Sequence, residues 1–179
     1  MDRKAKARVA IAFDVLQSVD SLKVTNDGWY LADPTGKYYK DQNGEECIDL
    51  RDFKGDVKEE ATKHLSKLQK CEVCALGACV ISQVKLFNKL PMSKLLSGDR
   101  PNTREINPNR DMVSKSLSRF FSQEQLNLIE TAFEAGGHHL IVANPDPNAV
   151  EFGRNYDSPK KRLKAIMGNI IVNDGEFCP

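Results

Sequence analysis

The residues best suited to chemistry cluster between positions 71 and 79, where Cys71, Cys74 and Cys79 surround the Gly77-Ala78 pair. A structural zinc site takes four thiolate or imidazole ligands, usually as two close pairs. Here one Cys-x-x-Cys pair has only Cys79, Cys47, Cys178 or a distant histidine to complete it, so no metal site is expected. On a continuous helix Cys71 and Cys74 lie one turn apart, with Cys79 displaced by ~40° from Cys71 about two turns on. A redox dithiol needs a strand running into the helix that carries it, and the charged, helical pattern before Cys71 does not supply one. Read without chemistry, Cys74, Gly77, Ala78 and Cys79 are small residues that let a neighbouring helix come close, cysteine serving as a small hydrophobe.

Nucleophilic catalysis is the sharper reading of the same cysteines. Cys74 falls near the start of a helix, His138 or His139 at the mouth of a short apolar run, and Asn144 just beyond it. A helix N-terminus lowers a thiol's pKa and an imidazole takes its proton, so the order Cys74, His139, Asn144 suits a papain-like hydrolase or transferase. No motif places the upstream glutamine such a site uses; Gln69 is merely near. The competing reading has the histidine pair capping the helix before it.

A third constellation runs from Arg154 through Tyr156 and Ser158 to Lys160, Lys161 and Arg162. Ser158-Pro159 is a helix start, and the free amides and dipole of a helix N-terminus attract phosphate or carboxylate. Lys160, Lys161 and Arg162 add charge, Arg154 approaches from the preceding loop, and Tyr156 offers a ring for stacking on a base. Arg100, Arg104 and Arg110 join the site if the fold brings them there. The plain alternative is a solvated first turn, the usual fate of a charge run. Neither a Walker loop nor a dinucleotide fingerprint is present, and Asp41-Gln42-Asn43-Gly44 lacks the spaced ligands of a calcium loop.

The elements that must position these groups are mostly helical. Val9, Phe13 and Leu16, with Ala12 and Val15 beside them, make a first helical stripe next to a basic face of Arg3, Lys4, Lys6 and Arg8. Turn signals at Asn26-Asp27-Gly28, Asp33 to Gly36 and Asn43-Gly44 mark residues 25–53 as irregular or hairpin-like, anchored by Trp29. Asp56 caps a helix carrying Val57, Ala61, Leu65 and Leu68. The next helix, from about Val73 to Leu90, has Val73, Leu76, Val80, Val84 and Phe87 on one face and is expected at the centre of the core. Residues 97–109 read as a loop. Met112, Leu117 and Phe120 suggest a short helix, Ser122 and Gln125 make a capping box for the next one, and His138 to Asn144 is the one strand candidate, stopped by Pro145 and Pro147. The last helix begins at Ser158-Pro159 and carries Leu163, Ile166, Met167, Ile170 and Ile171, with Phe177 tethering the C-terminus. The expectation is a mainly α fold: residues 1–179 as a single domain of five or six helices, a hairpin-like segment and at most one or two short strands.

Composition agrees with a folded globular chain: 40% hydrophobic and 28% charged residues over 179 positions, the balance of an ordinary domain. With 26 Lys plus Arg against 25 Asp plus Glu the net charge is +1, so no sequence-specific nucleic-acid partner is expected and any anion site must be local. No apolar run reaches the length of a membrane span, and five cysteines without an export signal predict a cytoplasmic protein with no disulfide framework.

Short stretches along most of the chain, Gly28-Trp29, the run from Tyr39 to Gly44, Cys74 to Ala78 (CALGA), Gln125 to Glu134 and Arg162 to Pro179, together resemble a group of small bacterial and phage proteins of unknown function. The resemblance implies an accessory protein and transfers no catalytic residue. Taken with the helical patterning, it favours a non-enzymatic protein without a cofactor, binding a small anionic ligand, a nucleotide or phosphorylated metabolite, or a host protein. The alternative is the Cys74 hydrolase.

Overall fold

The structure is a computed structural model that describes residues 1–26, 31–32, 38–40, 46–49, 59, 72–87, 105–106, 110–135 and 144–179. Among these the fold is mainly helical. The helices are α1 (Arg3–Ser18), α2 (Ala75–Phe87), α3 (Arg110–Leu117), α4 (Gln123–Glu134), α5 (Pro147–Arg154) and α6 (Pro159–Val172). The expected helix over 57–68, the strand from His138 onward and the Trp29 anchor lie outside the described residues, apart from Glu59 and Asn144.

Helix starts follow the cap chemistry of the sequence. Asp2 accepts the Ala5 N–H at 2.6 Å, Ser122 that of Gln125 at 3.2 Å and Ser158 that of Lys161 at 3.3 Å, each satisfying an amide that the helix cannot. The capping box at Ser122 is half used. Gln125 turns away to clamp the C-terminal tail, accepting the Phe177 N–H at 2.6 Å and donating to the Phe177 carbonyl at 3.2 Å.

The core is formed by facing helix stripes. From α2 come Leu76, Val80 and Val84, joined by Ile11, Ala12 and Val15 of α1, Leu126, Ile129 and Phe133 of α4, and Leu163, Ile166, Met167 and Ile170 of α6. On α1 the buried stripe is rotated from the expected one. Phe13 is 49% exposed, whereas Arg8 and Asp14 are buried. Arg8 therefore leaves the solvated basic face predicted for it: Nε donates to the Gly175 carbonyl at 2.6 Å, Nη1 to the Phe120 carbonyl at 2.9 Å, and Nη2 pairs with Glu176. A buried arginine needs such a set of acceptors.

Short strands are more numerous than the one or two expected. Lys23–Val24 (β1), Leu31–Ala32 (β2), Tyr38–Lys40 (β3), Glu46–Asp49 (β4), Glu72–Val73 (β5) and Glu105–Ile106 (β6) form two three-stranded sheets, in the orders β1-β5-β2 and β3-β4-β6. The hairpin-like reading of residues 25–53 is met by β3 and β4, antiparallel with Lys40 opposite Glu46. Within the expected 97–109 loop, β6 pairs with β4. Runs of two residues are too short to carry a readable period, so tertiary pairing decides them.

Helix α5 is a further departure. Pro147 was expected only to stop a strand, yet Asp146 accepts the Ala149 N–H at 2.9 Å and Pro147 occupies the first turn, where a missing N–H costs nothing. The helix lies against α4 so closely that a Cβ on Gly153 would overlap the Ala132 carbonyl and come 2.7 Å from the Ala135 methyl. At the other end, α6 finishes through Asp174 at φ 52° and Gly175 at φ 96°, which turns the chain onto the Ala5 backbone.

Candidate functional site

Cys74 precedes α2 in the N-cap position: its carbonyl accepts the Ala78 N–H at 3.0 Å and its Sγ the Gly77 N–H at 3.4 Å. Strand β5 runs directly into it, so the strand-to-helix entry that the sequence did not reveal is present. The thiol is nevertheless buried. Burial pushes its pKa far above the ordinary thiol value, and the carboxylates of Glu134 and Glu130 push the same way against the Gly77 and Leu76 amides. Desolvation outweighs the helix N-terminus here, leaving no thiolate at neutral pH. Cys79 is likewise buried and pushed up to about 12 by desolvation.

The partners proposed for Cys74 do not form a described site with it. His138 and His139 lie outside the described residues. Asn144 is exposed, with φ 58°, a left-handed conformation that asparagine tolerates better than most residues, and it turns the chain toward the Asp146 cap of α5. Among the described residues no group of three or more His, Cys, Asp or Glu is placed to hold a metal ion, and no helix is long and apolar enough to cross a membrane.

The stretch from Arg154 to Arg162 is divided between surface and core. Arg154 ends α5 and is exposed. Tyr156 is half-buried with its ring 5.5 Å from Phe152, which meets Phe177 edge-on at 5.1 Å. Lys161 donates to Asp157 one turn back at 3.0 Å. Lys160 is 3.8 Å from Asp20, whose carboxylate is held at 3.1 Å by Lys164. That hydrogen bond and the lysine charges keep the Asp20 carboxyl below its ordinary pKa.

Two features of this helix start differ from the sequence reading. The Lys161 N–H is taken by the Ser158 hydroxyl and Pro159 has none, so the Lys160 N–H is the first-turn amide left by the cap. Arg162 is withdrawn from the surface: it is 3% exposed, its guanidinium sits 6.0 Å from the Phe133 ring centroid, and Nε has no hydrogen-bond partner among the described residues. Burial lowers its pKa from the ordinary arginine value, offset in part by the charge of Glu134. In a helix the fourth residue after the cap has turned toward the side that Leu163 and Ile166 also face, so a continuous charge run cannot stay on one surface. Arg100 and Arg104 lie outside the described residues, as does the Arg110 side chain.

The structure adds a groove the sequence did not disclose. Ser21, Leu22, Lys23, Val24 and Lys160 line an open depression of about 440 Å³ beside the start of α6. Its only sequence signal is the pair of lysines, 137 positions apart and linked by no local motif. Both charged groups in its wall are cations. Comparison with family models, with curated proteins and with solved structures gives no match for this chain.

Proposed function

We propose that this is a non-enzymatic binding protein, a bacterial or phage accessory protein, whose anionic partner docks in the groove beside α6. The observation that carries the reading is the position of Lys160. It lies at the second residue of a capped helix, retains a first-turn amide, and joins Lys23 in the wall of the groove. Helix dipole, amide and two ammonium groups all favour negative charge there. An open groove suits a segment of a protein partner better than a nucleotide, because small-molecule sites bury most of their ligand. The buried, protonated state of Cys74 supports binding without catalysis.

The test is calorimetry on the full chain with ATP, pyrophosphate and acidic peptides, repeated with Lys160→Glu and with Arg154→Ala/Lys161→Ala. One charge-assisted hydrogen bond is worth ~1.5 to 3 kcal/mol, so charge reversal at Lys160 should weaken binding at least ~10-fold. The double variant should have the smaller effect, since Lys161 is already paired with Asp157. Absence of binding by every anionic probe, or unchanged affinity in Lys160→Glu, overturns the reading.

A further inference from the structure

The segment after α6 is held as a peptide ligand is held. Gln125 accepts the Phe177 N–H at 2.6 Å and donates to the Phe177 carbonyl at 3.2 Å. One residue on, Asn169 of α6 repeats the pattern, accepting the Cys178 N–H at 2.8 Å and donating to the Cys178 carbonyl at 2.7 Å. Asn173 donates to the Asn169 side-chain oxygen at 3.0 Å and so orients it. A single amide meets both groups of one residue where the backbone is extended, as in the hydrogen-bonded pairs of an antiparallel ladder. In successive extended residues those groups point to opposite sides, so Gln125 and Asn169 grip the segment along its two edges. Side chains here bond a main chain as a neighbouring strand would.

Two further contacts read side chains. The Phe177 ring is buried edge-on to Phe152 of α5, and Glu176 pairs with Arg8 of α1. Cys178 and Pro179 are exposed. The gripping groups thus belong to α1, α4, α5 and α6, and the gripped ones to residues 176–178. Between seat and segment stand Asp174 and Gly175, whose φ values of 52° and 96° turn the chain back onto the body. A ligand joined to its own seat by so short a turn is an exchangeable element: once the turn opens, the tail of one copy meets in another copy the contacts it has left. Residues 173–175, when extended, reach about 10 Å beyond α6.

We propose that the seat formed by Arg8, Gln125, Phe152 and Asn169 is a binding site for the tail of a second copy, and that two chains associate by exchanging residues 175–178 reciprocally. The occupant follows from the structure, because this tail is the sequence that satisfies the seat. Each tail makes the same contacts in either arrangement, so the turn and the protein concentration set the balance between one chain and two. The seat uses the later part of α6, away from the groove at its start, and does not depend on the anionic partner.

Asp174→Pro in the full chain is the test. Proline is locked near φ −65° and cannot make the turn at φ 52°, while residues 175–178 and their seat stay intact. Sedimentation velocity and native mass spectrometry should find this variant a dimer. Adding Phe177→Ala should weaken that dimer at least ~100-fold, the scale of an emptied aromatic pocket. A monomeric Asp174→Pro chain of native helicity, or a dimer indifferent to Phe177→Ala, overturns exchange. If the proline variant does not fold, the parent decides. Isotope-labelled and unlabelled parent chains, mixed at high concentration, should form a mixed dimer that Phe177→Ala chains do not. Absence of the mixed dimer, or its equal formation by Phe177→Ala chains, overturns the proposal.

Discussion

The Cys74 thiol sits where a helix N-terminus and a dry interior act against each other. The amides of Leu76 and Gly77 favour the thiolate, while burial and two nearby carboxylates disfavour it, and burial is the largest of these influences. Iodoacetamide at pH 8 should therefore label exposed Cys178 in the native protein and reach Cys74 and Cys79 only when the chain unfolds. Rapid native labelling of Cys74, read by peptide mass spectrometry, would restore the nucleophile. The same burial has a thermodynamic side. A thiol whose folded pKa is raised holds its proton longer when folded, so its stabilising contribution is complete below the ordinary value of 9.0 and is lost as pH rises toward about 12 for Cys79. Denaturant titrations across that window should show stability falling less steeply in Cys79→Ala than in the parent, by up to ~1.4 kcal/mol per pH unit. Equal slopes would show that Cys79 already ionises in the folded state. Neither cysteine's burial follows from residue type alone. The acidic neighbours of Cys74 come from α4, about 60 residues away, and a sequence gives no sign of which face of one helix meets another.

Helix starts and stops were the most legible elements, because a cap is a contact between residues three apart. Ser122 and Ser158 both act as the sequence implies. Helix α5 carries the same signal in Asp146-Pro147, but in sequence a proline that opens a helix looks the same as one that closes a strand. What holds α5 in place was not legible at all. Gly77, in the small-residue run of α2, is buried, and a second close approach, of which the sequence gives no sign, lies at Gly153 against α4. Gly168 is the contrasting case: it lies within α6, and a Cβ there would meet nothing within 4 Å. Two variants of one chemical change should then move in opposite directions. Gly168→Ala should stabilise by ~0.5 to 1 kcal/mol through helix propensity and a less free unfolded chain. Gly153→Ala should destabilise by ~1 to 3 kcal/mol or more, because its new methyl meets a backbone carbonyl that cannot rotate away. Thermal and urea midpoints of the two proteins check this, and a neutral Gly153→Ala would mean that α5 can shift away from α4.

On the scale of the whole molecule, the two ends of the chain are fastened together. Arg8 of α1 binds the Gly175 carbonyl and Glu176 of the tail while reaching the Phe120 carbonyl before α4. Gln125 of α4 holds the Phe177 backbone from the other side, and the Phe177 ring is buried beneath it at 1% exposure. The overall helical class follows from periodicity, which each segment carries within itself. This fastening does not, since Arg8 finds its acceptors 167 and 168 positions later and an arginine in a basic run looks like any solvated cation. Removing Arg8 leaves the Gly175 and Phe120 carbonyls without their donor, so Arg8→Met should cost ~1 to 3 kcal/mol or more, and Gln125→Ala ~1 to 3 kcal/mol for the same reason. The informative quantity is their combination. Both clamps act on residues 175–177, so once either is lost the tail is free to leave its site and the other has less to hold. The double variant should therefore lose less stability than the two single losses added together, with an interaction energy of ~0.5 to 3 kcal/mol in a double-mutant cycle measured by urea unfolding. If the losses simply add, the tail stays seated on Phe177 alone, and each clamp acts only on the backbone group it touches.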